Sequence, residues 1–457
     1  MRCLLFVLVV GSTGSAFAAD WPAFRGDGTS RLASGRLPAT WSPERGIAWR
    51  SPLPGYGQSS PVVIGSVVYA TAIDGQDKET LIVRATSAAD GRPLWTKEFP
   101  ASAKGKNNPM MARAAGTPVA DARGVVATFE CGDIIALSPT GELRWKRTLG
   151  TEFGEWKNNH GTGSSLAQSA DAVFVQADHQ GPSFLFALSK TDGATLWKVE
   201  RSPRSSWTSP VVMTIEGREA ILVSSGGSVA AYRTSDGTTL WEKDGFVGNT
   251  IPSPTPFGDK LLVGATENRM KPDRKASAES NCCLSLSAAG ARVEWKAKSI
   301  IGHHASPIAH EGHVYVVDKG GMLACLDAAT GDERYTERLD NQQWATPIAC
   351  GPHVYFFGKD GVTTVLKAGP SYELVARNRL WSDEQFRAKK KAAETELKGL
   401  PSGPPGGRPG GGGAGMNPEE LAAIRASAVG DVVYGVAAVP GTIFVRTGTE
   451  LIAIRQR

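Results

Sequence analysis

Apolar positions in this chain come in short alternating runs, and glycine, proline, aspartate and serine stand between them. Residues 209–241 show the pattern most clearly. They read Ser-Pro-Val-Val, a turn, Ala-Ile-Leu-Val, a turn, Val-Ala-Ala-Tyr, and then Ser-Asp-Gly-Thr-Thr-Leu-Trp. Period-two runs of this length, bounded by turn residues, predict four strands. A lone four-stranded sheet would leave two faces without a packing partner, so the stretch needs copies of itself.

The chain supplies them. A Ser-Pro or Thr-Pro start recurs at Ser60-Pro61, Thr117-Pro118, Ser209-Pro210, Ser253-Pro254, Ser306-Pro307 and Thr346-Pro347, and Ser165-Leu166 holds the same place without the proline. A closing aromatic recurs at Trp95, Trp145, Trp197, Trp241, Trp295 and Tyr335. Gly91, Gly141, Gly193, Gly237 and Gly331 stand four residues ahead of their aromatics, and Gly290 one residue further back, as the positive-φ position of a tight turn requires. The seventh copy loses its aromatic around 373–376. The eighth is split: three strands lie near the C-terminus (435–439, 442–446, 450–455), and the fourth is at 47–51, with Trp49 in the tryptophan slot. The expected fold is all-β, an eight-bladed β-propeller of four-stranded antiparallel blades, closed when an N-terminal strand completes the last blade.

The repeated unit resembles the PQQ-like (pyrroloquinoline-quinone-like) β-propeller repeat. In that family the closing tryptophan docks on the neighbouring blade, which is the role implied for Trp49, Trp95, Trp145, Trp197, Trp241 and Trp295, with Tyr335 in the next copy. The opening Trp21-Pro22-Ala23-Phe24-Arg25-Gly26 resembles the start of exported bacterial members, similar to the outer-membrane assembly propeller. The family includes dehydrogenases, assembly factors and scaffolds, so the resemblance bears on fold more than on function.

Three segments lie outside the repeats. Residues 1–19 read as a signal peptide: Arg2, an apolar run at 4–10 too short to span a bilayer, and Ala16-Phe17-Ala18 before cleavage near Ala18 or Ala19. This predicts a periplasmic or secreted protein without a transmembrane segment. Residues 20–45 are irregular, and Trp21, Phe24 and Trp41 are expected to bury against the propeller that fills 46–457. An insertion at 378–430 opens on Ser382-Asp383-Glu384-Gln385, which has the form of a capping box. It predicts a helix to about Leu397, a flexible Gly/Pro linker, and a second short helix from Asn417-Pro418-Glu419-Glu420, the whole projecting as an arm. The long connections (100–116, 150–163, 266–280, 378–430) fall on one face of the ring, which is where binding is expected.

Composition narrows the partners. Fifty basic against 45 acidic residues, a formal net charge of +5, is too balanced to imply nucleic acid. Removing Cys3 with the signal leaves five of the six cysteines, so at least one is unpaired or pairs between molecules. Cys325 and Cys350 read as buried apolar residues, and Cys131 lies near a turn. The residues just ahead of each innermost strand should line one mouth of the central channel: Tyr56, Gln58, Arg113, His160, Trp207, Asn249, His303, His304, Trp344 and Tyr434. Aromatics, amides, an arginine and histidines around a concavity make a ligand site. No phosphate loop, nucleophile elbow or His-Glu-x-x-His is present.

Three functional readings follow. The first is a monomeric, non-catalytic platform for a protein or cell-envelope polymer, with no cofactor and no metal. The second is a dehydrogenase of alcohols or sugars using pyrroloquinoline quinone and calcium, which the resemblance implies through the adjacent Cys282-Cys283. Alternation along a strand argues against that bridge, because neighbouring side chains point to opposite faces. The third is a carbohydrate-binding or carbohydrate-cleaving propeller using His160, Trp207 and His303.

Overall fold

The computed structural model describes residues 20–107, 111–158, 160–267, 272–398 and 432–456. Eight antiparallel sheets follow one another around a ring. Blades 1 to 7 each run from an innermost to an outermost strand in chain order. Blade 1 is Val62–Ile64, Val67–Asp74, Thr80–Ser87 and Pro93–Pro100, and blade 7 is Ile348–Cys350, His353–Phe357, Val362–Lys367 and Glu373–Arg379. Blade 8 is composite: Ile47–Pro52 pairs antiparallel with Glu450–Arg455, outside Thr442–Arg446 and the innermost Gly435–Val439. The N-terminal and C-terminal strands are thus zipped together in one sheet, which closes the ring.

Two repeated contacts hold blade to blade. Each closing tryptophan from Trp49 through Trp295 donates its indole N–H to a carbonyl of the next blade: Trp49 to Ala88, Trp95 to Pro139, Trp145 to Lys190, Trp197 to Thr234, Trp241 to Ser287 and Trp295 to Ala328, at 2.8–3.1 Å. For every one of these rings but Trp241, the turn glycine of the next blade lies against the ring. A Cβ on Gly91, Gly141, Gly193, Gly237 or Gly331 would come within 2.6–2.8 Å of it, so this position has no room for a side chain. Around the channel, each innermost strand starts with a hydroxyl that accepts the N–H of its predecessor: Ser60 to Thr117, Thr117 to Ser165, Ser165 to Ser209, Ser209 to Ser253, Ser253 to Ser306 and Ser306 to Thr346. Gly435 takes the place in blade 8, where a side chain would collide with Ser60.

Residues 20–45 are more ordered than their sequence suggests. Trp21 forms an antiparallel bridge with Val63, and Pro22 accepts the N–H of Ala120. Arg25 donates to Thr255 Oγ1 and to the Pro254 carbonyl at 2.5 and 2.7 Å. The pair Arg31–Leu32 then adds a parallel fifth strand to the inner edge of blade 7. The segment therefore plugs the channel, and it does so from the short-turn side, where Asp20 accepts from Gly65 and Arg36 from Gly441. Trp21 and Trp41 are buried while Phe24 stays half-exposed. Trp41 packs against Gly46 and lies in one cluster with Ala376. It thereby serves the blade 7–blade 8 junction, where blade 7 has no closing aromatic of its own.

The insertion opens as a helix, Asp383–Lys398. Ser382 and Gln385 cap it reciprocally: the Ser382 N–H donates to Gln385 Oε1 and the Gln385 N–H to Ser382 Oγ. The helix is not a free arm. Lys389 reaches Glu450 of blade 8 at 3.7 Å and sits over the buried Trp381. The expected linker and second helix lie outside the described residues. No helix among the described residues is long and apolar enough to cross a membrane.

Candidate functional site

With the short-turn end plugged, the residues ahead of the innermost strands gather toward the long-loop end of the channel. Most of the expected ring residues join into one arc. Going round it, His303 meets His304 (ring centroids 4.1 Å apart), His304 meets Trp344 (4.7 Å), Trp344 meets Tyr434 (5.4 Å) and Tyr434 meets Tyr56 (6.1 Å). The two tyrosine hydroxyls are hydrogen-bonded at 2.8 Å. The arc ends where the Arg113 guanidinium stacks 3.3 Å over the Tyr56 ring. Gln58 fixes Arg113 from behind, accepting its backbone N–H at 2.8 Å. The Nδ1 atoms of His303 and His304 are 2.6 Å apart, so one ring donates to the other.

The remaining ring residues stand apart. His160 and Trp207 form their own pair at 6.1 Å, and Trp207 donates to the Gly161 carbonyl. Asn249 does not line the mouth, contrary to expectation. It is fully buried, accepts from Gly227 and donates to Ser224 Oγ and the Ser228 carbonyl, closing a turn of blade 4. An asparagine beside a strand start serves either purpose, and only packing decides which. A carbohydrate triad of His160, Trp207 and His303 is not drawn together, because His303 is committed to the other cluster.

Two cations that the sequence reading missed complete the arc. Lys359 lies 3.9 Å over the Trp344 ring, and burial pushes its pKa down to about 8. Arg446 is fully buried beneath Tyr56 and Tyr434 and donates to the carbonyls of Thr447 and Thr71. Burial pulls it down to about 10, and the two tyrosines oppose the shift. Lys359 had been hidden in a Lys-Asp-Gly turn. Arg446 was legible as a charge ending the apolar run Thr442–Arg446. Beside His303 a cleft of about 400 Å3 opens between blades 5 and 6, lined by Glu267, Arg274, Asp318, Lys319 and Glu333.

The quinone-type pair does not fit the channel. Cys282 and Cys283 are adjacent in the strand Cys282–Ser287, unbridged, and buried in different inter-blade cores, one shared with Val263 and Trp241 and the other with Leu262 and Trp295. Burial pushes both thiols up to about 12, which leaves them neutral. Among the described residues no three His, Cys, Asp or Glu side chains are placed to hold a metal ion.

The family described as outer membrane protein assembly factor BamB has a model that matches residues 22–156, 79–251 and 283–397. No curated protein sequence matches the chain. Among solved structures, BamB from Moraxella catarrhalis is 14% identical with a TM-score of 0.57, covering 89% of this chain and 98% of that one. A europium-containing methanol dehydrogenase is 11% identical with a TM-score of 0.53, covering 96% and 98%. At these identities the likeness is one of fold.

Proposed function

Because this chain belongs to the propeller family described as outer membrane protein assembly factor BamB, we propose that it is a non-catalytic platform of the cell envelope that binds a protein or envelope polymer through its long-loop face. The observation that carries this reading is the plug. Residues 20–32 fill the channel from the short-turn side, which leaves the aromatic arc ahead of the innermost strands toward the long loops. A rigid ring presenting one elaborated face is suited to holding a partner. The reading invokes no cofactor, and it places the chain beyond the inner membrane once residues 1–19 are removed.

The test is site-specific photocrosslinking in envelope extract. A benzophenone side chain at Gln342, exposed on the long-loop face, should give a discrete adduct, and one at Thr330, exposed in a short turn, should give none. Equal adducts from both faces would count against the platform. So would dye reduction by protein reconstituted with pyrroloquinoline quinone and calcium.

A further inference from the structure

Blade 7 ends unlike the others. Its outermost strand, Glu373–Arg379, runs on through Leu380 and Trp381 into the helix Asp383–Lys398. The Leu380 N–H donates to the Gly361 carbonyl, and the Trp381 ring lies on Gly361, where a Cβ would come within 2.4 Å of it. The chain leaving the blade is thereby brought back over the turn between its second and third strands, on the long-loop face. A pocket of about 210 Å3 stays open there. Val362 and Leu380 supply its aliphatic wall, Trp381 and Phe386 its aromatic wall, and Asp360 and the Arg379–Asp383 pair its polar groups. Trp381 is buried, whereas Phe386, in the first turn of the helix, is 39% exposed.

The charges in this pocket do not balance. Arg379 forms an ion pair with Asp383. The half-buried Asp360 forms none among the described residues, and its Oδ1 accepts the Val362 N–H at 3.2 Å. Burial pushes the Asp360 carboxyl up, against the Val362 N–H and the field of Arg379. Asp340 adds a like charge and is itself paired with Arg377 at 2.9 Å. A desolvated carboxylate without a counter-charge is costly, and a cation placed on it recovers that cost. The volume sets the size of the ligand. A cavity of about 150 Å3 holds a benzene ring, so this one takes a group as large as one side chain and falls short of a drug-sized site. Apolar walls around one unmatched carboxylate suit a group that is apolar along its length and cationic at its tip. Trp381 already carries the Lys389 ammonium at 5.2 Å, but that head also reaches Glu450 at 3.7 Å, and Lys389 does not line the pocket. We infer that the pocket receives a basic side chain, lysine or arginine, of the protein held on the long-loop face, with its stem on Leu380, Trp381 and Phe386 and its head on Asp360. This rests on the platform reading and names the chemistry of one contact the partner makes.

The experiment is NMR on the mature chain carrying isotope-labelled tryptophan, in which Trp381→Phe identifies the Trp381 indole N–H resonance. That resonance is followed during titration with acetyl-Ala-Lys-Ala-amide, its arginine counterpart and, as a neutral control of similar shape, its norleucine counterpart. At least one basic peptide should bind about tenfold or more tighter than the norleucine peptide. Asp360→Asn, which keeps an acceptor for the Val362 N–H, should erase that preference. Phe386→Ala, on the helix surface, should weaken the basic peptide by about threefold or more. Unchanged thermal unfolding of at least one variant keeps folding out of the comparison. Equal binding of basic and norleucine peptides would overturn the inference, as would an Asp360→Asn protein that keeps the preference, the result expected if Arg379 already neutralises Asp360. Binding of butylammonium with neither basic peptide bound would overturn it too, by making this a site for free amines. If the crosslink from Gln342 forms while no basic peptide moves the Trp381 resonance, the platform stands and the basic-side-chain assignment falls. A basic peptide that binds while Gln342 and Thr330 crosslink equally upholds the pocket and removes the platform.

Discussion

Lys359 shows how far burial can move the pKa of a side chain. It is 8% exposed, lies against the Trp344 ring, and is pushed from 10.5 down to about 8. Between those two values the unfolded chain holds a proton that the folded protein has given up, so stability rises with pH across that window. The shift is worth up to about 3 kcal/mol. In urea unfolding, wild type should gain that much relative to Lys359→Met between pH 7.5 and 10.5. Parallel pH dependences would contradict the burial account. The same residue marks the limit of reading a site from sequence. Tyr56, Trp344 and Tyr434 were legible because each stands just before an innermost strand. Lys359 follows the second strand of blade 7 and Arg446 ends that of blade 8, and both reach the same mouth only because the blade folds back on itself.

At the level of the element, the Ser/Thr starts have a purpose that pairing patterns do not reveal. Each hydroxyl is an acceptor for its neighbour's buried N–H, so the strand starts are tied into a near-continuous belt around the channel. This explains why the copy at Ser165 dispenses with the proline and keeps the serine. Ser209→Ala should leave the Ser165 N–H buried without an acceptor, at a cost of about 1–3 kcal/mol in the denaturant midpoint. A loss below a few tenths of a kcal/mol would mean that water replaces the hydroxyl. A second regularity was also silent in the sequence. In all eight blades the register slips by one between the third and fourth strands, next to the tryptophan position, as between Ala85 and Thr86 or Ala231 and Tyr232. The bulge turns the closing ring toward the next blade and leaves Leu94 and Leu196 on the outside. The helix at Asp383–Lys398, in contrast, was readable from its cap, because a capping box is a local motif.

For the whole molecule, the plug matters most. Val63, Ala120 and Ala349 donate their backbone N–H groups to Trp21, Pro22 and Ser30. Removing residues 20–32 should therefore speed hydrogen exchange in the innermost strands of blades 1, 2 and 7 and leave blade 6 near its wild-type rate. Uniform acceleration around the ring would mean that the segment holds the fold together and does not merely fill the channel. The amino-acid sequence by itself determined the repeat, the number of blades and the closure at Trp49, because strand alternation, turn glycines and closing aromatics are all encoded within a few residues of one another. Tertiary structure alone decided that residues 20–32 enter the channel, that Trp41 stands in for the aromatic blade 7 lacks, and that Asn249 turns inward while Arg113 and Arg446 converge from blades 2 and 8. Those outcomes depend on which distant surfaces the closed ring brings face to face, and no local pattern carries that information.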